Sequence, residues 1–90
     1  MGDQLASKTK VVASNIRKIR ELRNYTQDYL AAKLGISQNA YSKIELGYSK
    51  LTLERLFQIS IILDVEAMQI LSFDSVVDDL PPSNGITINS

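Results

Sequence analysis

The stretch TQDYLAAKLGISQNAYSKIELGYSK, residues 26–50, decides the fold. It holds two cap–helix–glycine units in succession. The Thr26 hydroxyl can accept from the free backbone amides of the turn that follows it, which is what a helix N-terminus requires. The helix it opens, Gln27 to Leu34, stops at Gly35, because glycine takes the left-handed conformation past a helix end at little cost. After Ile36 the pattern restarts. Ser37 caps a helix over Gln38 to Leu46, which stops at Gly47. Tyr25 with Leu30, and Ile36 with Tyr41, stand in the spacing of a hydrophobic staple across each helix start. One such unit is a weak signal. Two in a row, with three residues between their helices, spell helix–turn–helix.

Working outward, Val12, Ile16, Ile19 and then Leu22 or Arg23 recur at helical spacing. They predict an amphipathic first helix over Lys10 to Arg23, with Arg17, Lys18 and Arg20 on its basic outer face. Asn24-Tyr25 ends it. Residues 1–9 are small and polar without apolar period, and are expected to be flexible. On the other side, Thr52 caps a fourth helix, about Leu53 to Leu63, with Leu53, Leu56, Ile59, Ser60 and Leu63 expected in the core. Phe57 and Ile61 lie four apart on a different face. That apolar surplus calls for a cover, either a second copy of the chain or its own tail through Phe73, Val76, Val77 or Leu80. A short fifth helix is expected over Ala67 to Leu71. After Ser72 the pattern fades into Pro81-Pro82 and Asn84-Gly85; Ile86-Thr87-Ile88 alternates and suits either a small strand or no fixed structure. The expected architecture is all-α, a compact bundle of about five helices with the helix-turn-helix at the second and third. Residues 10–72 form the domain, between a flexible segment 1–9 and an acidic extension, tail or linker 73–90.

Composition removes several classes of function. The chain has no cysteine and no histidine. Disulfides, thiolate metal sites and imidazole-based triads are therefore closed to it, and no metal or cofactor is expected. No glycine loop of the phosphate-cradling kind and no nucleophile beside a base is visible, so an enzyme is not expected. The N-terminus lacks the apolar core of a signal peptide and the longest apolar run is Ile61-Ile62-Leu63, which makes a cytoplasmic protein the default. The Asn24-Tyr25-Thr26 sequon is then a coincidence, and Asp78-Asp79 is a solvating pair. The formal net charge is zero. Its distribution is not even: residues 1–50 carry nine Lys/Arg against four Asp/Glu, and residues 51–90 one against six. The half that holds the polar helix pair is the half that attracts phosphate.

Residues 12–71 resemble the lambda-repressor-like helix-turn-helix proteins, the Cro/cI or xenobiotic-response-element (XRE) type. The resemblance rests on Ile16-Arg17-Lys18-Ile19-Arg20, Thr26-Gln27 with Leu30-Ala31, Leu34-Gly35-Ile36-Ser37, Tyr41-Ser42-Lys43-Ile44-Glu45 with Gly47, and Leu53, Leu56, Ile59, Leu63 and Val65. It implies a bundle of about five helices whose third helix enters the DNA major groove. By position, Gln38, Asn39 and Lys43 match base-reading sites, with Ala40 and Ser42 facing or edging the groove. Amide side chains suit adenine, lysine suits the guanine acceptors and alanine suits the thymine methyl. Gln27, which by the resemblance also braces Gln38, matches a backbone-phosphate contact, as do Tyr48, Ser49 and Lys50 past Gly47. Arg20 and Glu45 match an ion pair that ties helix one to helix three. The chain departs from the family at Leu46, usually polar or basic, at Asp64, usually glycine, and at Tyr29, often an acid.

The resemblance implies a sequence-specific, double-stranded-DNA-binding transcriptional regulator of repressor type, a homodimer on half-sites about one helical turn, roughly 34 Å, apart. A phage-type repressor, a restriction–modification controller and an autoregulatory antitoxin all fit. The competing expectation is a protein-binding module or antitoxin-like partner whose acidic C-terminal tail engages another protein, folding as it binds.

Overall fold

The computed structural model describes residues 2–76, with side chains from Gln4 to Ser72. The expectations for Val77, Asp78-Asp79, Leu80, the Pro81-Pro82 and Asn84-Gly85 turns and Ile86-Thr87-Ile88, and for the side chains of Phe73 and Val76, lie outside the described residues. Five helices follow in order: α1 Gly2–Leu22, α2 Gln27–Leu34, α3 Gln38–Glu45, α4 Leu53–Leu63 and α5 Ala67–Val76. The bundle is all-helical, as expected.

The helix starts at Thr26, Ser37 and Thr52 are built as the sequence predicts. Each cap residue is extended, and its side-chain oxygen accepts from the amide three residues on: Tyr29 at 3.0 Å, Ala40 at 3.0 Å and Arg55 at 3.1 Å. The first helix differs. It begins at Gly2 rather than at Lys10, so the segment expected to be flexible is helical. Neither proline nor glycine interrupts residues 3–9, and the Thr9 hydroxyl donates to the Leu5 carbonyl at 2.9 Å. Lack of apolar period marks a helical turn without a buried face, not the absence of helix. α5 likewise runs past Leu71 to Val76, through a kink at Ser72, φ −120° and ψ 16°.

Four helices end in one way. The amides of Tyr25, Ile36, Tyr48 and Val65 reach back to the carbonyls of Arg20, Ala31, Lys43 and Ser60, and those of Asn24, Gly35, Gly47 and Asp64 to Glu21, Ala32, Ile44 and Ile61. This paired closure needs a left-handed residue. Asn24 (φ 62°), Gly35 (φ 73°), Gly47 (φ 78°) and Asp64 (φ 59°) supply it. Gly47 is required on a second count. A Cβ there would stand 3.2 Å from Cγ of Lys10 and 3.8 Å from Cβ of Ala13, because α1 runs against this turn. At Asp64 the residue is an L-residue in a conformation that favours glycine. Asp64→Gly is expected to raise the thermal midpoint by about 2–4 °C, the left-handed penalty relieved exceeding the backbone entropy lost by about 0.5 kcal/mol. Asp64→Ala is expected to lower it. Thermal unfolding followed by circular dichroism checks both, and a lower midpoint for the glycine variant would refute the strain.

The core is Ile16 and Ile19 of α1, Leu30 and Ala31 of α2, Tyr41 and Ile44 of α3, Leu56, Ile59 and Leu63 of α4 and Ile70 of α5. Tyr25 and Ile36, the staple residues, pack on it from the two turns. Two sequence expectations, for Arg20 and Leu53, are corrected, and one alternative is decided. Arg20 is buried, not on the outer face of α1. At the end of the α1 stripe Arg23 faces inward and Leu22 is 60% exposed; the Arg23 guanidinium donates to the carbonyls of Leu63 and Asp64 at 2.9 and 3.1 Å, holding α1 to the end of α4. Leu53 is 66% exposed rather than in the core, because it stands in the first turn of α4, at the rim of the bundle. It continues the exposed line of Phe57 and Ile61, at 50% and 77%. Asn15 carries no mark in the sequence. It is fully buried and its Nδ2 donates to the Ile70 carbonyl at 2.8 Å, fastening α5 to α1, while its Oδ1 has no partner among the described residues.

Candidate nucleic-acid interface

The site is built from the inside outward. α3 presents one side to the core through Tyr41, Ile44 and Glu45. Glu45 is a carboxylate withdrawn from water, its side chain 2% exposed, and such a charge persists only when paired and hydrogen-bonded. Arg20 meets it with two bonds, Nε to Oε2 at 2.6 Å and Nη2 to Oε1 at 3.1 Å, and gives a third, from Nη1, to the Tyr25 carbonyl at 2.8 Å. The Tyr41 hydroxyl donates to Oε2, and Nε2 of Gln27 to Oε1 at 3.0 Å. One carboxylate thus collects the end of α1, the first residue of α2 and the body of α3. The expected Arg20–Glu45 pair is present.

These contacts set the ionisation of the cluster. Burial alone would push the Glu45 carboxyl up; the bonds from Arg20, Tyr41 and Gln27 more than offset it and hold the group below its ordinary 4.5. Burial, then the bond to Glu45, pushes the Tyr41 hydroxyl well above its ordinary 10.0. The signs give a stability plateau. Unfolded Glu45 binds its proton more tightly than folded Glu45, so its contribution is complete above pH 4.5 and is lost as pH falls. Folded Tyr41 holds its proton longer than unfolded Tyr41, so that contribution is complete below pH 10.0 and is lost as pH rises. Urea midpoints taken across pH are expected to be flat between these limits and to fall outside them. Tyr41→Phe is expected to weaken the alkaline fall, and an unchanged alkaline limb in that variant would show that another group causes it.

The opposite side of α3 faces solvent. Gln38, Asn39, Ala40 and Lys43 are exposed and Ser42 is half-buried. Asn39 and Lys43, four apart, stand one turn above the other. Of the five residues matched to base reading, four are thus open to solvent and Ser42 is only partly so. Past Gly47 the chain turns, with Tyr48 and Lys50 exposed and Ser49 half-buried. Lys43, Lys50 and Lys10 have no ion pair among the described residues. Gln27 differs from expectation. Its amide is engaged by Glu45, and no hydrogen bond joins it to Gln38 among the described residues. A hydrogen bond to a buried carboxylate is charge-assisted and holds the Gln27 amide toward Glu45. Tyr25 and Tyr29 stack with ring centroids 4.7 Å apart, and Lys33 lies over the Tyr29 ring, so these aromatics are committed to packing along α2.

A polar helix held out to solvent by a buried ion-paired brace, with a tight turn before it and a basic loop after it, defines a helix-turn-helix domain. The helix-turn-helix family model matches residues 16–69, and the chain belongs to that family, of the Cro/cI and xenobiotic-response-element type. Over 63 residues the chain is 38% identical to an uncharacterised HTH-type transcriptional regulator of Bacillus subtilis (strain 168), YqaE. The match covers 70% of this chain and 54% of that protein, so the chain spans just over half the length of the curated relative it matches. No solved structure matches it. Among the described residues, no helix is long and apolar enough to cross a membrane.

Proposed function

We propose that the chain is a sequence-specific double-stranded-DNA-binding transcriptional regulator of repressor type, acting in the cytoplasm, with α3 as its recognition helix. The supporting observation is the two-sidedness of α3: Tyr41, Ile44 and Glu45 fix it to the bundle while Gln38, Asn39, Ala40 and Lys43 stay open. In this reading Gln38 and Asn39 make bidentate amide contacts to adenine, Lys43 donates to guanine acceptors, and Ala40 and Ser42 meet the groove. Gln27, Tyr48, Ser49 and Lys50 grip the sugar–phosphate backbone and fix the register without choosing sequence. Gln27 can serve both ends, since Nε2 carries two hydrogens and Glu45 uses one.

The test is selection of bound duplexes from a random pool by the purified chain. An enriched motif with two-fold symmetry supports the proposal. Binding without enrichment at low salt, lost at moderate salt, would be phosphate attraction alone and would count against it.

A two-fold motif requires two copies, and the exposed line of Phe57 and Ile61 on α4 is the surface proposed for their contact. Phe57→Lys with Ile61→Lys is expected to reduce the mass in solution to that of one chain while leaving monomer stability within about 0.5 kcal/mol, as surface changes do. An unchanged mass rules this surface out.

A further inference from the structure

The N-terminal half of α1 lies beside the loop that follows α3. Leu5, Thr9 and Val12 on one side and Gly47 to Leu53 on the other line one open groove. Lys10 sits at the closest approach. Its Cγ would be 3.2 Å, and its Cα 3.6 Å, from a Cβ on Gly47, so the stem of this side chain crosses the turn that leads into Tyr48, Ser49 and Lys50. Lys10 is exposed and has no ion pair among the described residues. A lysine in this setting lays its methylenes along the protein and keeps its ammonium in water. Lys8 is different. It lines a second groove, with Gln4, Ser7, Val11 and Leu71, on the α5 side of the helix.

We propose that Lys10 is a further contact to the DNA backbone, extending the phosphate grip of residues 48–50 by one cation from α1. This rests on the DNA reading of the preceding subsection. It also gives the first turns of α1, where residues 4–9 have no buried face, a role: they continue α1 past Lys10, so that this lysine projects from within a helix and not from a fraying end. The structural alternative is that Lys10 only offsets the negative end of the α3 dipole at Gly47. That role would change stability and leave the salt dependence of binding untouched.

The experiment measures affinity of the full chain for a mixed-sequence duplex across a fourfold rise in salt. Loss of one phosphate contact lowers the slope of log affinity against log salt by about 0.9, so wild-type affinity is expected to fall about threefold more than that of Lys10→Gln. Lys10→Arg is expected to restore the wild-type slope, and Lys8→Gln to keep it. A wild-type slope in Lys10→Gln overturns the proposal, whatever its thermal midpoint. If Lys50→Gln lowers the slope and Lys10→Gln does not, the assignment of Lys10 alone is wrong. If neither Lys50→Gln nor Lys43→Gln changes binding, the DNA reading fails and this proposal fails with it.

Discussion

Arg20→Ala is expected to destabilise the chain by about 3–5 kcal/mol, a large part of the roughly 5–15 kcal/mol that holds a small domain folded. The size follows from what remains, not from what is removed. Glu45 would keep a negative charge at a site where its side chain is 2% exposed, with only Tyr41 and Gln27 to satisfy it. The Tyr25 carbonyl would lose its donor as well. Relief comes from neutralising the acid: Arg20→Ala with Glu45→Gln is expected to be more stable than Arg20→Ala alone. The acid limb of the stability profile should also flatten in the single variant, since the arginine that most strongly lowers the Glu45 pKa is gone. Urea unfolding of the four corners of this cycle gives the coupling directly. A loss below about 1 kcal/mol in Arg20→Ala, the range of an exposed pair, would mean that the cluster does not brace the bundle.

The second large effect is on binding. Gln38→Ala and Lys43→Ala are each expected to weaken binding to an enriched duplex by about 1–3 kcal/mol, roughly 5- to 150-fold, the range of one base-edge contact. Neither side chain supports the fold. Both are exposed, so thermal midpoints should stay near that of the wild-type chain. Lys50→Ala provides the contrast. It should lower affinity by a similar factor on every duplex, because a phosphate contact carries no sequence. Equal losses on enriched and scrambled duplexes for Gln38→Ala would move that residue from the base-reading set to the backbone set.

The parts of the fold governed by neighbours in sequence were legible before the structure. Thr26, Ser37 and Thr52 cap helices because a hydroxyl beside free amides acts within one turn, and Gly35 and Gly47 end them because the left-handed turn is a property of one residue. The core stripe through Ile16, Ile19, Leu56, Ile59 and Leu63 follows from helical period alone. What was misread depends on elements distant in the chain. By helical period alone Arg20 falls on the outer face of α1; its pairing with Glu45, 25 residues on, was legible only through the family resemblance. Leu53 has the spacing of a core residue, but among the described residues no element buries the first turn of α4. Asn15 carries no local mark, since its partner is the carbonyl of Ile70, 55 residues away. Residues 1–9 suggest flexibility in the sequence because period reports a buried face, and residues 4–9 have none. The exposed polar face of α3 was legible as a pattern; the engagement of Gln27 by Glu45 was not, because it is set by the electrostatic need of a buried acid.

If the open face of α3 meets base edges, duplex selection repeated with Gln38→Ala and Lys43→Ala beside the wild-type chain will show it. All three proteins are expected to enrich motifs of the same length and symmetry, each variant losing preference at its own position or pair of positions in each half-site. Identical motifs from all three proteins, at whatever affinity, would contradict it.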